Sequence, residues 1–304
     1  MLHLLNGDAT AGVFPDTLPG QRAVWRDILM EGPADADVET RAAWLAPRLG
    51  VTPEAYAQRW REGAATLARA TEHDEVVLWF ERDLFCATNL WFVLDRLEGA
   101  SLSLVFPEIN DDVPGLGALD PTLFPMLFEG RYRLGADEVA EARAVWRAYA
   151  AADPTELARL QPLFPFAGAA IRLHCGRFPS LAHGLDETEH ETLATLDRPL
   201  AFAALFRAVT TSGAGNELGI GDVQFAALLR ELADGATPLI EIDDPQQPFG
   251  RWHISRTAAA TDVLAGRIDR LALSPLNRWL GGVHLRTGAP LWRWNAHRWA
   301  LVAA

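Results

Sequence analysis

At 304 residues, 49% of them apolar and including 11 Trp and 14 Phe, the chain can build two domains with cores of their own. Its two cysteines, Cys86 and Cys175, stand in unrelated contexts and suggest no disulfide framework. The 40 acidic residues outweigh 27 basic ones, for a formal net charge of −13, which argues against nonspecific nucleic-acid binding; every basic residue is Arg, which excludes Schiff-base and Walker-lysine chemistry.

In chain order, Leu2–Leu5 is a short apolar run halted by Asn6-Gly7-Asp8, with no basic leader before it, so a cytoplasmic protein is expected. No apolar run reaches bilayer length, and no membrane partner is expected. Arg22–Arg26 is a second strand candidate, followed by Asp27 and by Glu31-Gly32-Pro33. Val38–Leu49 and Pro53–Ala70 carry apolar residues at three- and four-residue spacing and predict a helical pair, with Pro53 placed for a first turn. Val76–Phe80 has five apolar residues without alternation, the pattern of a parallel strand covered on both faces. It leads into Glu81-Arg82-Asp83 and a helix over Leu84–Leu97, and Ser101–Phe106 supplies a fourth strand ending near Glu108, Asn110, Asp111 and Asp112. This alternation predicts a Rossmann-like, doubly wound, mostly parallel α/β domain over residues 1–118.

Residues 119–180 read as a helical connector, with helices over Asp137–Ala151, Pro154–Leu160 and Phe166–Cys175. Residues 181–304 predict a winged-helix-like domain: helices over Asp186–Leu196, Pro199–Val209 and Asp222–Ala233, strands over Leu239–Ile242 and Arg251–Ile254, then a helix over Arg256–Leu264. Arg278–Trp299, rich in Trp and Arg, reads as one hairpin around Thr287-Gly288. Residues 250–304 hold eight Arg against Asp262 and Asp269, a local exception to the acidic whole. Arginine interleaved with tryptophan serves single-stranded nucleic acid, and equally a hairpin whose Arg stems cover Trp faces. The third helix of this domain presents Asp222, Gln224, Arg230 and Glu231, which would repel phosphate, so a packing or interaction module is expected and DNA binding is not.

Ligands of open parallel sheets bind beyond the carboxyl ends of the strands. The groups there are Asn6, Gly7 and Asp8, then Arg26, Asp27 and Glu31, then Glu81, Arg82 and Asp83. Carboxylates gathered at one edge must share protons, hold a divalent cation such as Mg²⁺, or meet a cationic ligand. Arginines there, Arg26, Arg41 and Arg82, suit phosphate. Each residue also has an ordinary structural use: Asp8 and Asp83 as helix caps, Gly7 and Gly32 as turn residues, Arg–Asp pairs as surface bridges. Cys86 reads as a core thiol, and His183 and His190, separated by Gly184, as ordinary histidines outside any zinc pattern. No Gly-x-Gly-x-x-Gly, Walker loop or Gly-x-Ser-x-Gly elbow is present.

The strings Leu-His-Leu-Leu-Asn-Gly-Asp-Ala (2–9), Trp-Arg-Asp-Ile-Leu-Met-Glu-Gly-Pro (25–33) and Val-Val-Leu-Trp-Phe-Glu-Arg-Asp-Leu-Phe (76–85) resemble the bacterial family catalogued as domain of unknown function 1835, over roughly the first 120 residues. Asn6, Gly7, Asp8, Trp25, Arg26, Glu31, Gly32, Pro33, Glu81, Asp83 and Phe85 match that pattern. Arg82 stands where His is usual, and Ala87 where Gln is common, so no general-base role passes to Arg82. The resemblance implies a motif map and no reaction.

Two functions follow as expectations. In one, the chain is an enzyme acting on a small polar, phosphorylated metabolite, with Asp8, Glu81 and Asp83 in metal ligation or acid–base work. Asn6, Gly7, Arg26, Asp27, Glu31 and Arg82 would contact the ligand. In the other, it is a noncatalytic ligand sensor whose C-terminal domain binds a protein or nucleic acid; a protein partner or a second copy is open in either case.

Overall fold

The computed structural model describes residues 1–108, 115–211 and 217–304. The chain divides into two compact units, Met1–Ala151 with Leu160–Ala170, and Ala152–Arg159 with Ile171–Ala304. Among the described residues, no helix is long and apolar enough to cross a membrane.

The first unit runs β1 (Leu2–Asn6), α1 (Asp8–Val13), β2 (Gln21–Trp25), α2 (Val38–Leu49), α3 (Pro53–Ala68), β3 (Val76–Trp79), α4 (Leu84–Arg96), β4 (Leu102–Val105), α5 (Phe124–Glu129), β5 (Tyr132–Arg133) and α6 (Ala136–Ala150). Its strands form one sheet in the order β2-β1-β3-β4-β5. β1, β2, β3 and β4 are parallel, and β5 pairs antiparallel with β4.

Every residue of β1, β3 and β4 is buried, because the sheet is covered on both faces. Leu5, Trp79 and Val105 lie in register and pack with Phe14, Leu116, Phe124 and Phe128. Side chains alternate along a strand, so Leu4, Leu78 and Leu104 turn to the other face. Trp25 shares that second face, stacked on Phe92 of α4 and edge-on to Trp60 of α3, while Phe92 meets Trp146 of α6.

Helix ends follow the caps in the sequence at α2, α3 and α4, whereas Asp8, expected as a cap, is the first residue of α1 behind Gly7. Asp37 accepts from the Thr40 amide at the start of α2, and Gly50 closes that helix in the left-handed region. Thr52 and Pro53 open α3, and Asp83 caps α4.

The expected connector over 119–180 is not a separate body. Residues through Ala151 complete the first unit: β5 extends the sheet beside β4, and α6 packs on α4. Helical periodicity shows that a face must be covered and is silent about which element covers it.

The second unit contains α7 (Thr155–Arg159), α8 (Ala167–Gly176) from Ile171 onward, α9 (Glu187–Thr195), β6 (Leu200–Ala201), α10 (Phe202–Thr211), α11 (Asp222–Ala233), β7 (Ile240–Ile242), β8 (His253–Arg256) and α12 (Ala258–Leu264). Four further strands follow: β9 (Asn277–Leu280), β10 (Val283–Arg286), β11 (Trp292–Asn295) and β12 (Ala300–Ala303). Phe202, Leu205, Phe225, Leu229, Trp252 and Ile254 form the centre of its core. β6, β8 and β7 make an antiparallel sheet in that order. β6 falls where the sequence predicted the start of a helix; Leu200 and Ala201 pair with Ile254 and His253 instead.

The C-terminal segment folds into two hairpins, β9–β10 and β11–β12, where one was expected. The first turns at Gly281-Gly282, not at Thr287-Gly288. Pairing of Leu280 with Val283 leaves two residues for the turn, and Gly281 takes the left-handed φ of 60° that such a turn demands. The Thr287 amide instead donates to the Leu276 carbonyl at 2.9 Å.

One close approach gives a test of the sheet–helix packing. At an open helical position, Gly→Ala stabilises by about 1 kcal/mol. At Gly63 in α3 an added Cβ would lie 2.9 Å from the buried ring of Trp25, which is held by Trp60 and Phe92. We expect Gly63→Ala to destabilise, by about 1–3 kcal/mol, in urea denaturation.

Candidate functional site

In the order β2-β1-β3 the chain leaves β1 to one side and later adds β3 on the other. The carboxyl ends of β1 and β3 therefore bound the switch in strand order, where open sheets bind ligands.

Asn6 ends β1 and is buried. Its Nδ2 donates to Cys86 Sγ at 3.0 Å, and its Oδ1 accepts from Asn89 Nδ2 at 2.9 Å. Cys86 and Asn89 are three residues apart on α4 and thus share a face. Asn89 also donates to the Asp27 carbonyl at 2.9 Å, and its own carbonyl oxygen accepts from the Leu29 amide at 3.4 Å. One buried amide thereby joins the ends of β1 and β2 to α4. The Gly7 amide adds a second tie, donating to the Trp25 carbonyl at 2.9 Å.

Asp27 and Arg41 form a fully buried ion pair at 3.1 Å. Asp27 Oδ1 also accepts from the Tyr56 hydroxyl at 2.6 Å and the Ile28 amide at 2.8 Å. Burial and the neighbouring Asp27 push the Tyr56 phenol well above its ordinary value, so it stays a donor. Arg41 also donates to the carbonyls of Pro33 at 2.9 Å, Glu31 at 3.3 Å and Ile28 at 3.4 Å. The expected phosphate ligand Arg41 is thus an internal clamp on the loop after β2. Asp27 is its counter-charge, and Glu31 meets the clamp through its carbonyl.

Glu81 and Asp83 follow β3. Glu81 Oε1 accepts from the Leu116 amide at 2.9 Å. The segment can pass so near because residue 115 is glycine: φ is 126°, and a Cβ would sit 3.2 Å from Glu81 Oε2. Burial, then the charge of Asp83, raise the Glu81 carboxyl from 4.5 to about 7. Asp83 caps α4 by accepting from the Cys86 amide at 2.6 Å, and burial raises it to about 6. Burial followed by the charges of Asp83 and Glu81 pushes the Cys86 thiol well above its ordinary value, so it remains protonated.

The other expected site residues form two solvent-facing pairs. Asp8 meets Arg26 at 2.6 Å, and Glu108 meets Arg82 at 2.7 Å, with the arginine side chains 41% and 37% exposed. The Arg82 guanidinium also lies over the Phe106 ring, 5.4 Å from its centroid. The acids therefore do not meet as one set: Asp8, Asp27 and Glu108 each face an arginine, whereas Glu81 feels Asp83. Among the described residues, no group of three or more His, Cys, Asp or Glu is placed to hold a metal ion. Asn110, Asp111 and Asp112 lie outside the described residues.

Tyr56, Asn89 and Cys86 were not in the expected site. Asn89 carried a signal, as an amide within the mostly apolar, buried stretch of α4. Tyr56 carried none, since an aromatic residue at helical spacing reads as core. In the second unit, His183 and His190 stack with ring centroids 4.9 Å apart although Gly184 separates them in sequence. No protein-family model matches the chain, and no curated protein matches it.

Two outcomes follow. Arg41→Met leaves the Asp27 carboxylate buried without its counter-charge, and we expect a loss of about 3–5 kcal/mol in urea denaturation. Asp27→Leu combined with Arg41→Met should recover much of that loss. The second outcome concerns pH. A carboxyl raised from 4.5 to about 7 on folding holds its proton more tightly in the folded state. Its contribution to stability is complete below about pH 4.5 and is lost as pH rises through about 7. Glu81→Gln should therefore gain stability relative to wild type across that window, measured as the pH dependence of the unfolding midpoint. A constant difference would show that Glu81 titrates as an ordinary carboxylate.

Proposed function

We propose that the first unit is an enzyme acting on a small polar, phosphorylated metabolite at the carboxyl edge of its sheet. The observation that carries this reading is the placement of the half-buried Glu81 and the buried Asp83, whose charge bears on Glu81, after β3 at the switch in strand order. A carboxyl that changes protonation near neutrality suits a general acid or base, and Glu81 takes that role here. Burial, then the charge of Asp83, holds Glu81 in that range, and Asp83 also caps α4. Arg26 and Arg82 provide anion recognition: their partners Asp8 and Glu108 are exposed carboxylates in weak surface pairs, readily exchanged for a ligand phosphate. Mg²⁺ enters this reading as a cation carried on the ligand's own phosphates, with Asp8 as a protein ligand. The resemblance to the family of unknown function over the same motifs adds no reaction to this reading.

One observation favours the second reading, a noncatalytic regulator. The order α9, β6, α10, α11, β7, β8 with sheet order β6-β8-β7 is what a winged-helix-like module requires. Its third helix carries one cation, the exposed Arg230 over Trp252, against the exposed acids Asp222 and Glu231, which favours protein over DNA.

Thermal unfolding separates these readings from a purely structural role. Wild type and the variant Asp8→Asn/Glu81→Gln/Asp83→Asn are screened against nucleotides and sugar phosphates, with and without Mg²⁺, Mn²⁺ or Zn²⁺. A ligand at a hundred times its dissociation constant adds about 2.7 kcal/mol, a shift of several degrees. We expect such a shift in wild type, its disappearance in the variant, and turnover of the ligand that causes it. A shift without turnover favours the sensor. Absence of any shift, with a markedly destabilised variant, would show that these acids are caps and bridges.

A further inference from the structure

The second unit carries a groove floored by unpaired backbone. β7 is an edge strand: β8 lies on one side, and among the described residues no strand lies on the other. Its register with β8 is Ile240↔Arg256, Glu241↔Ser255 and Ile242↔Ile254. Just beyond the ladder, the Thr257 amide donates to Leu239 and the Asp243 amide to His253, each at 3.1 Å. Hydrogen-bonded positions alternate along an antiparallel pair, so Glu241, the Leu239 carbonyl and the Asp243 amide face β8, while the Leu239 amide donates to the Leu232 carbonyl of α11 at 2.8 Å. Ile240 and Ile242 turn theirs outward, and no described residue pairs with them. Both isoleucine side chains remain anchored in the core, so this ledge is held in place.

The outward groups open into a groove of about 570 Å³ between β7 and α11. Glu231 and Asp234 stand on its helical wall and Glu241 on the strand, with Asp243 and Asp244 just past the strand end. Arg230 also lines the groove, with its guanidinium over the Trp252 ring, and Glu231 is engaged by Arg278 at 2.8 Å, so the acidic excess of the rim rests on Asp234 and Glu241. Ala233, Pro238 and Pro245 supply apolar lining, and the two prolines bracket the strand so that only a short partner fits. A second copy of this chain pairing β7 with β7 antiparallel would bring Glu241 against Glu241, with Asp243 and Asp244 close by, and like charges across a strand pair are unfavourable.

We propose that this groove binds a short extended peptide of alternating basic and small apolar residues, which joins the sheet as a strand beside β7. The peptide backbone pairs with Ile240 and Ile242. Its apolar side chains lie toward Ala233 and the prolines, and its basic ones meet Glu241 and the acidic rim. Backbone pairing gives affinity and the alternation gives selectivity.

The probe is the blocked peptide Arg-Val-Arg-Val-Arg, with Glu-Val-Glu-Val-Glu as its counterpart, titrated into the full chain labelled with ¹⁵N. Binding of the Arg peptide should slow amide exchange at Ile240 and Ile242 by about tenfold or more, and the Glu peptide should bind at least about tenfold more weakly. Ile242→Pro removes an outward amide that the sheet does not use, but also a side chain packed on the core, so it is compared with Ile242→Ala, which loses the side chain and keeps the amide: binding should be abolished in the first and retained in the second. Glu241→Arg, at an exposed position, should reverse the preference between the two peptides. Binding undiminished in Ile242→Pro, shifts scattered over the surface without slowed exchange, or a β7-edged dimer in sedimentation without peptide would each overturn the proposal.

Discussion

A buried arginine must have its charge answered, and the first unit is arranged around that demand. Arg41 is answered by Asp27, its Nε donates to the Tyr56 hydroxyl, and its other donors take up carbonyls of Ile28, Glu31 and Pro33. The pair ties α2 to the loop that leaves β2, and Tyr56 adds α3 to the same carboxylate. Asn89 then carries the connection to α4 and β1. A buried ion pair is weak evidence for net stability, because desolvation offsets much of its attraction. What it supplies here is position: the loop after β2 has one arrangement in which every donor of Arg41 finds an acceptor.

That fixed edge explains why Glu81 and Asp83 can stand where they do. Two carboxyls near each other in a buried place repel when both are ionised. A mobile edge would relax by turning one of them into water. Here Asp83 is held as the cap of α4, and Glu81 is held by the amide of Leu116. Held carboxyls of raised affinity for protons are a recurrent property of functional sites, and they also occur in structural networks. The switch in strand order favours the functional use. The flanking pairs Asp8–Arg26 and Arg82–Glu108 are exposed, and at such sites the pair itself contributes little stability.

Much of this was legible in the sequence, and the reasons are specific. β3 declared itself as an uninterrupted apolar run, β1 and β4 as short mostly apolar ones, and the apolar spacing over Val38–Leu49 placed α2 with limits that agree with the structure at both ends. The strand-end acids were visible as residues; their partners were not. Whether Asp27 faces solvent or Arg41 depends on a contact fourteen positions away, and spacing along one chain carries no information about it. The same limit hid the pairing of β5 with β4, the strand β6, and the stacking of His183 on His190. Thr287-Gly288 misled because it is a good turn sequence, while Gly281-Gly282, between the strands that actually pair, is another.

The candidate site depends on Glu81 changing protonation near neutrality at the edge of a parallel sheet. Carboxyl-carbon NMR of the full chain, labelled at Glu and assigned through Glu81→Gln, reads that titration directly. We expect a midpoint at about 7 for Glu81, falling when Asp83→Asn removes the neighbouring charge. A midpoint in the usual carboxylate range, unmoved by Asp83→Asn, would contradict it.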